Sequence, residues 1–290
     1  MIGLAMSESL IRNISDTARW AAVYRARETE RSDALFRDPF ARRLAGERGE
    51  DIANTIKFSS QNSWSWIART YLFDNFLLDQ LKQGCDMVIN LAAGLDSRPY
   101  RMDLPSSLKW IEVDLPEILD YKQELLATEA PTCRLERIAL DLSNVAARRE
   151  LFDQLGRRSE RVLILSEGLL VYFTPEEAGS FAADLKVPAS FHRWILDLAS
   201  PGLLQLLRKN MAKDMGEAAV LKFGPAEGPS FFRTYGWNPI AARSLLKTAG
   251  RLKRLPLFMK LMAPLTPEVP TPKQSQRPWG GVCVLEKAAA

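Results

Sequence analysis

Short apolar runs, several closed by an acidic residue, recur through the middle of the chain and set its architecture. Met87 to Leu91, Lys109 to Asp114, residues 134 to 140, Arg161 to Ser166 and Phe191 to Leu198 read as strands. The first and fourth are almost continuously apolar, the pattern of a strand buried on both faces. Between them lie segments with helix-opening signals. Residues 116 to 127 follow Pro116, residues 144 to 155 follow Ser143 or Asn144, and Thr174-Pro175-Glu176-Glu177 has a capping signature. Strands alternating with helices predict a mostly parallel sheet covered on both faces. Upstream, residues 8 to 30 read as helical. Residues 39 to 45 form a short helix, Gly46 to Glu50 a loop, and residues 62 to 83 a stronger helix ended by Gly84. Residues 200 to 240 break the rhythm. They hold an amphipathic segment, Leu203 to Met215, a Gly/Pro-rich loop, and the aromatics Phe231, Phe232, Tyr235 and Trp237. This is the expected make-up of a lid over the carboxyl ends of the strands. Residues 239 to 249 read as a helix, and Gly281 to Glu286 as a terminal strand, antiparallel at the sheet edge.

The stretch Asp86 to Tyr100, DMVINLAAGLDSRPY, holds the first candidate chemistry. Ala92, Ala93 and Gly94 have almost no side-chain bulk, so the backbone can turn sharply and a ligand can lie against it. Asp114 stands 20 residues past Gly94, at the end of the next strand. An acid there can accept hydrogen bonds from both hydroxyls of a ribose. Each residue alone is more readily a plain turn or a helix cap; in this order and spacing they point to an adenosine-type site. Asp96, Asp114, Asp141 and Glu167 all sit at or just past strand ends, which share one crevice in an open parallel sheet. Asp141, with Leu142 after it, suits an adenine amino group and ring, or a helix cap. Glu167 and Asp96 suit a cationic ligand.

Composition narrows the classes. With 290 residues, 47% of them hydrophobic, the chain suffices for one large α/β domain. Its 39 basic and 35 acidic residues intermix, for a net charge of +4. Arg25 to Arg31 also contains Glu28 and Glu30 and reads as a solvated helix face, so no nucleic-acid partner is expected. Cys85, Cys133 and Cys283 are far apart and show no metal spacing, which predicts reduced thiols in a cytoplasmic protein without a bound metal. The N-terminus lacks a secretory pattern, and no apolar run reaches the ~18 residues of a membrane span, so no membrane partner is expected. No G-x-G-x-x-G follows the first strand, which disfavours a dinucleotide dehydrogenase.

The ordered set VINLAAGLDSRPYR, WIEVDLPEILDYK, ALDL and LILSEGLLVYF resembles the leucine carboxyl methyltransferase family, as do LFRDPFA and IARTYLFDNF upstream. The likeness covers roughly residues 15 to 198, with a looser echo in Tyr235-Gly236-Trp237 and in RPWGGVCVLE. It implies a Rossmann-like class I methyltransferase fold, with a mostly parallel seven-stranded sheet and helices on both faces. One domain would span 1–290, with an N-terminal helical part (1–83) and a lid insertion (200–240). The cofactor it implies is S-adenosyl-L-methionine. Arg69 would pair with the methionine carboxylate, Ala92 and Gly94 would let the backbone approach, and Asp114 with Leu115 would hold the ribose. Asp141 and Leu142 would frame the adenine, and Glu167 would line the pocket near the methionine part. Tyr235 is the candidate for positioning the acceptor, and Trp64, Trp66, Phe231, Phe232 and Trp237 could join it in an apolar acceptor pocket, although ordinary packing between lid and body accounts for each of them at least as well. The reaction implied is O-methylation of a small molecule, on a carboxylate or a hydroxyl. The alternatives are methylation of a protein C-terminal carboxylate, and a member that binds the cofactor without catalysis. Oligomeric state is left open.

Overall fold

The computed structural model describes residues 11, 14–56, 58, 61–211 and 220–289. The earliest part of the 8–30 helix and the end of the Leu203 to Met215 segment lie partly outside these residues. Seven strands form one sheet: β1 (Met87–Leu91), β2 (Lys109–Asp114), β3 (Arg134–Ala139), β4 (Val162–Ser166), β5 (Phe191–Ala199), β6 (Trp237–Ser244) and β7 (Gly280–Lys287). Their order is β3-β2-β1-β4-β5-β7-β6. The first five are parallel, and β7 runs antiparallel to both β5 and β6.

Both faces of the central strands are covered, which is why β1 and β4 are buried at every position and apolar at all but Asn90 and Ser166. Met87, Ile89 and Leu91 face one core with Ile111, Ile164, Phe181 and Trp194. Val88 points the other way, with Trp110, Leu163, Ile195, Phe73 and Leu77. The helix that carries Phe73 and Leu77 is α3 (Ser63–Lys82), very near its predicted bounds. Before it, α1 (Ile14–Thr29) and α2 (Ala41–Thr55) pack together through Trp20, Val23, Leu44 and Ile52, and reach Leu95 and Ile118 at the carboxyl ends of the strands.

Four sequence expectations need correction. The expected loop at Gly46 to Glu50 is helical: α2 continues to Thr55 with a kink at Gly46, because Ile52 and Ala53 still bury on α1. Residues 239 to 244 are strand, and only Leu245–Arg251 is helix. Pro239 is tolerated because β6 is an edge strand with a register shift just after it. The terminal strand β7 is antiparallel as expected but lies inside the sheet, since β6 covers it. The helix face at Arg25 to Arg31 is not fully solvated. Arg25 pairs with Asp38 at 2.8 Å, and the wholly buried Glu28 pairs with Arg254 at 2.8 Å from the far end of the chain.

The capping expectations hold. Thr174 and Glu177 close a reciprocal capping box, and Asn144 caps the helix Val145–Gly156 by accepting from Ala147 N–H. The three cysteines are free, and burial pushes the Cys85 and Cys133 thiols up to about 11. No helix among the described residues is long and apolar enough to cross a membrane. On β2, Glu112 accepts from Lys122 Nζ at 2.6 Å and from Arg137 Nε at 3.0 Å; Glu112 and Lys122 have no side-chain exposure. Removing one partner of such a pair leaves a buried charge uncompensated. Lys122→Ala is therefore expected to cost about 3 kcal/mol in urea denaturation. Arg157→Ala, which breaks an exposed pair with Asp153, should cost well under ~1 kcal/mol.

Candidate active site

The carboxyl ends of β1, β2, β4 and β5 open into one cavity of about 410 Å³, roofed by residues of α1, α3 and the segment after β5. At its floor the chain leaves β1 through Ala92 and Gly94, both in the left-handed region, with φ of 53° and 49°. Glycine adopts this at no steric cost, whereas an alanine pays for it. Gly94 is needed for a second reason: a Cβ there would come within 3.2 Å of the Ala18 Cβ on α1. Asp114 locks the turn from β2. Its Oδ2 accepts from Gly94 N–H at 2.6 Å and its Oδ1 from Leu115 N–H at 2.7 Å. Burial raises the Asp114 carboxyl above the usual range, and these two N–H groups pull it back part of the way.

On the opposite wall is a network of buried charge. Arg69, from α3, lies 3.1 Å from Glu167 Oε1 and 3.2 Å from Asp197 Oδ2. Arg98 is held by Asp74 and Asp96, each at 2.7 Å, and by Glu167 at 2.9 Å. Arg101 adds a second contact to Asp74. The carboxylates also accept backbone and amide donors: Gly168 N–H on Asp197 at 2.7 Å, and Asn90 Nδ2 on Asp96 at 2.8 Å. Gly168 must be glycine, with φ 69° and the Arg69 guanidinium 3.2 Å from where a Cβ would stand. Burial would raise the Asp96 carboxyl, but the charges of Arg98, Lys122 and Arg101 hold it far below the usual range. For Asp197 burial outweighs Arg69, and the carboxyl stays raised.

A family described as leucine carboxyl methyltransferase matches this chain over residues 18–185. The chain belongs to the leucine carboxyl methyltransferase family. A Frankia alni protein provisionally named an S-adenosyl-L-methionine-dependent methyltransferase is 33% identical over 257 residues, 81% of this chain and 88% of its own length. A similarly named Parafrankia protein is 32% identical over 249 residues, 78% of this chain and 77% of its own. Two solved structures share the fold. One is a DUF574 family protein from Streptomyces avermitilis, with TM-score 0.59, 13% identity and coverage of 93% of this chain and 97% of that one. The other is a provisionally named methyltransferase from Thermobifida fusca, with TM-score 0.56, 15% identity and 97% coverage of both chains. Like its relatives, this family member is an S-adenosylmethionine-dependent methyltransferase.

The cavity fits that cofactor. Its volume lies in the roughly 300–1,000 Å³ range of such sites. The Arg69 guanidinium lines the cavity, with its Nε buried against Glu167. The cavity brings together Arg69, Ala92, Gly94, Asp114, Leu115, Asp141, Leu142 and Glu167, which the sequence reading had singled out across 99 positions, Arg69 to Glu167 inclusive. Asp141 Oδ1 accepts from Ser143 N–H at 2.8 Å, which leaves its second oxygen for another donor.

Tyr235 is not among them. It follows Phe231 around a 3-10 turn and packs its ring onto Gly179, where a Cβ would stand 2.3 Å from its hydroxyl. Phe232 and Trp237 are fully buried against Trp194, and Trp64 packs beside Leu245 and Met259. Of the aromatics expected in the acceptor pocket, only Trp66 lines the cavity. The insertion does reach it, but through Leu207, Met211, Leu221 and Phe223. Arg25, Asn90, Arg98, Tyr172 and Asp197 line the cavity too and escaped the sequence reading. An acid inside the apolar run WILDLA was the available signal for Asp197. Tyr172, half-buried, has its hydroxyl raised by desolvation against an opposing bond to Thr17.

The strained turn can be tested directly. Ala92→Gly should be neutral or stabilising by up to ~1 kcal/mol, because the left-handed strain it removes offsets glycine's added unfolded-state freedom. Ala93→Gly, where φ is not positive, should cost about 0.5–1 kcal/mol in the same denaturation experiment.

Proposed function

We propose that this methyltransferase acts on the carboxylate of a small, largely apolar molecule, and that its cofactor is held by the residues gathered in the cavity. The observation that carries the reading is the chemistry of the cavity wall. Among the described residues, no histidine lines it, and its acids are committed to ion pairs or backbone N–H groups. The single histidine, His192, lies outside the cavity lining, with its ring nitrogen at 3.0 Å from the Glu160 carbonyl. A carboxylate acceptor is already ionised at neutral pH and needs no base, whereas an alcohol does.

Charge supports the cofactor assignment. Arg69, Arg98 and Arg101 face Asp74, Asp96, Glu167 and Asp197, so four carboxylates meet three guanidinium groups and one negative charge is in excess. The methionine part of S-adenosylmethionine, with its sulfonium, ammonium and carboxylate, carries one net positive charge. Arg69 would pair with the carboxylate, and Glu167 would face the cationic groups. Asp114 would accept from the ribose hydroxyls with lone pairs that Gly94 and Leu115 leave free. Leu115 and Leu142 would enclose the adenine, with Asp141 on its amino group.

Bound there, the cofactor supplies an electrophilic methyl group for in-line displacement. The chain's own contribution is alignment and exclusion of water. Phe58, Trp66, Leu207, Met211, Leu221 and Phe223 make the apolar wall against which the acceptor's body would lie.

Two measurements test this. Calorimetric titration with S-adenosylhomocysteine should give micromolar or tighter binding, weakened at least ~10-fold in Asp114→Ala, the loss of a charged acceptor in a buried site. Because the Asp114 carboxyl is raised and the ribose needs its ionised form, affinity should begin to fall on acidification above the ordinary aspartate value of about 3.9, and Asp114→Asn should flatten that dependence. Turnover with matched panels of apolar carboxylic acids, their alcohols and peptides with free C-termini should yield base-labile methyl esters from the small acids. Methyl ethers, methylated peptides or no product with bound cofactor would each replace the carboxylate reading.

A further inference from the structure

Forty residues, Gly228 to Pro267, contain no acidic residue and seven basic ones: Arg233, Arg243, Lys247, Arg251, Lys253, Arg254 and Lys260. Inside this stretch, Lys253 takes a left-handed turn with φ 58° and sends the chain into a short helix, Leu257–Met262, followed by a 3-10 turn at Ala263–Leu265. That helix rests on the body through one side. Met259 and Ala263 pack with Ala249, Leu255, Trp64 and Leu245. Its other side leaves Leu257, Phe258, Leu261 and Leu265 between 72% and 79% exposed. At helical spacing these four fall within about a quarter turn of one another. Most other exposed large apolar side chains are 37–47% exposed and scattered. A contiguous apolar stripe of this kind marks an interaction surface.

We infer that this stripe docks the protein reversibly onto an anionic lipid bilayer, with Leu257, Phe258, Leu261 and Leu265 entering the headgroup layer and Lys253 and Lys260 facing lipid phosphates. Charge selects the occupant. Arg254 is consumed by Glu28 and Asp33, and Glu268 lies near Lys247 and Arg251, but Lys253 and Lys260 border the stripe without a carboxylate ion pair among the described residues. Two copies meeting through this face would oppose lysines to lysines, whereas an anionic surface gains from both the apolar and the basic groups. This departs from the expectation of no membrane partner. Leu245, which the stripe's helix packs against, also lines the cavity, so the lipid-facing helix lies one packing layer from the site. The inference does not depend on which acceptor is methylated.

Vesicle co-sedimentation tests it, using phosphatidylcholine alone and phosphatidylcholine with roughly 30 mol % phosphatidylglycerol. The full chain should pellet with the anionic vesicles, less so as salt rises, and weakly or not at all with the neutral ones. Leu257→Ser/Phe258→Ser/Leu261→Ser and Lys253→Glu/Lys260→Glu should each lower vesicle partition at least ~10-fold, since both contributions are needed for stable attachment. Both variants should keep wild-type S-adenosylhomocysteine affinity, which shows that they are folded. Wild type that stays in the supernatant, or variants that pellet like wild type, would overturn the inference. So would concentration-dependent self-association abolished by the serine variant without vesicle binding, which would assign the stripe to a second copy.

Discussion

The ion network around Glu167 ties together the elements that make the site. Arg69 comes from α3, Arg98 from the turn after β1, Glu167 from the end of β4 and Asp197 from β5. None of these segments is adjacent in the chain, and each places its charge where water is largely absent. A buried charge without a partner is worth several kcal/mol of destabilisation, so the four segments hold one another in position. The strand ends cannot drift apart without exposing a guanidinium to carbon.

The same network supplies the site's polarity. On the proposed reading, its excess of one carboxylate would be balanced by the cationic part of the cofactor. Preorganised charge of this kind costs no rearrangement at the moment of binding. The floor of the cavity uses a different device. Ala92 and Gly94 hold a tight left-handed turn, and Asp114 fastens it through Gly94 N–H and Leu115 N–H. Strain at the turn is thus borne by a hydrogen-bonded carboxylate from the neighbouring strand.

Most of the cavity floor at the strand ends was legible in the sequence because it follows local rules. A buried parallel strand is apolar at every position, an acid at its end is unusual, and the spacing from Gly94 to Asp114 is one βαβ step. The apolar wall of the cavity was not legible. Phe231, Phe232, Tyr235 and Trp237 looked like a pocket because aromatics cluster there, yet aromatic rings fill cores as readily as they line cavities. Trp237 begins an edge strand, and its indole donates to the Ala182 carbonyl at 2.9 Å inside the core. Arg25 looked solvated because charges surround it in sequence, but its partners Asp38 and the Leu95 carbonyl are 13 and 70 residues away.

By itself the sequence determined the α/β alternation, the bounds of α3, the capped helix starts and the set of acids at strand ends, because periodicity, capping and turn chemistry act between near neighbours. Tertiary structure alone decided that β7 enters the sheet between β5 and β6, that Asp197 and Arg98 join Glu167, and that Leu207, Met211, Leu221 and Phe223 form the apolar wall. Those outcomes depend on contacts between segments far apart in the chain, and neither burial nor ion pairing at that range leaves a local pattern to read.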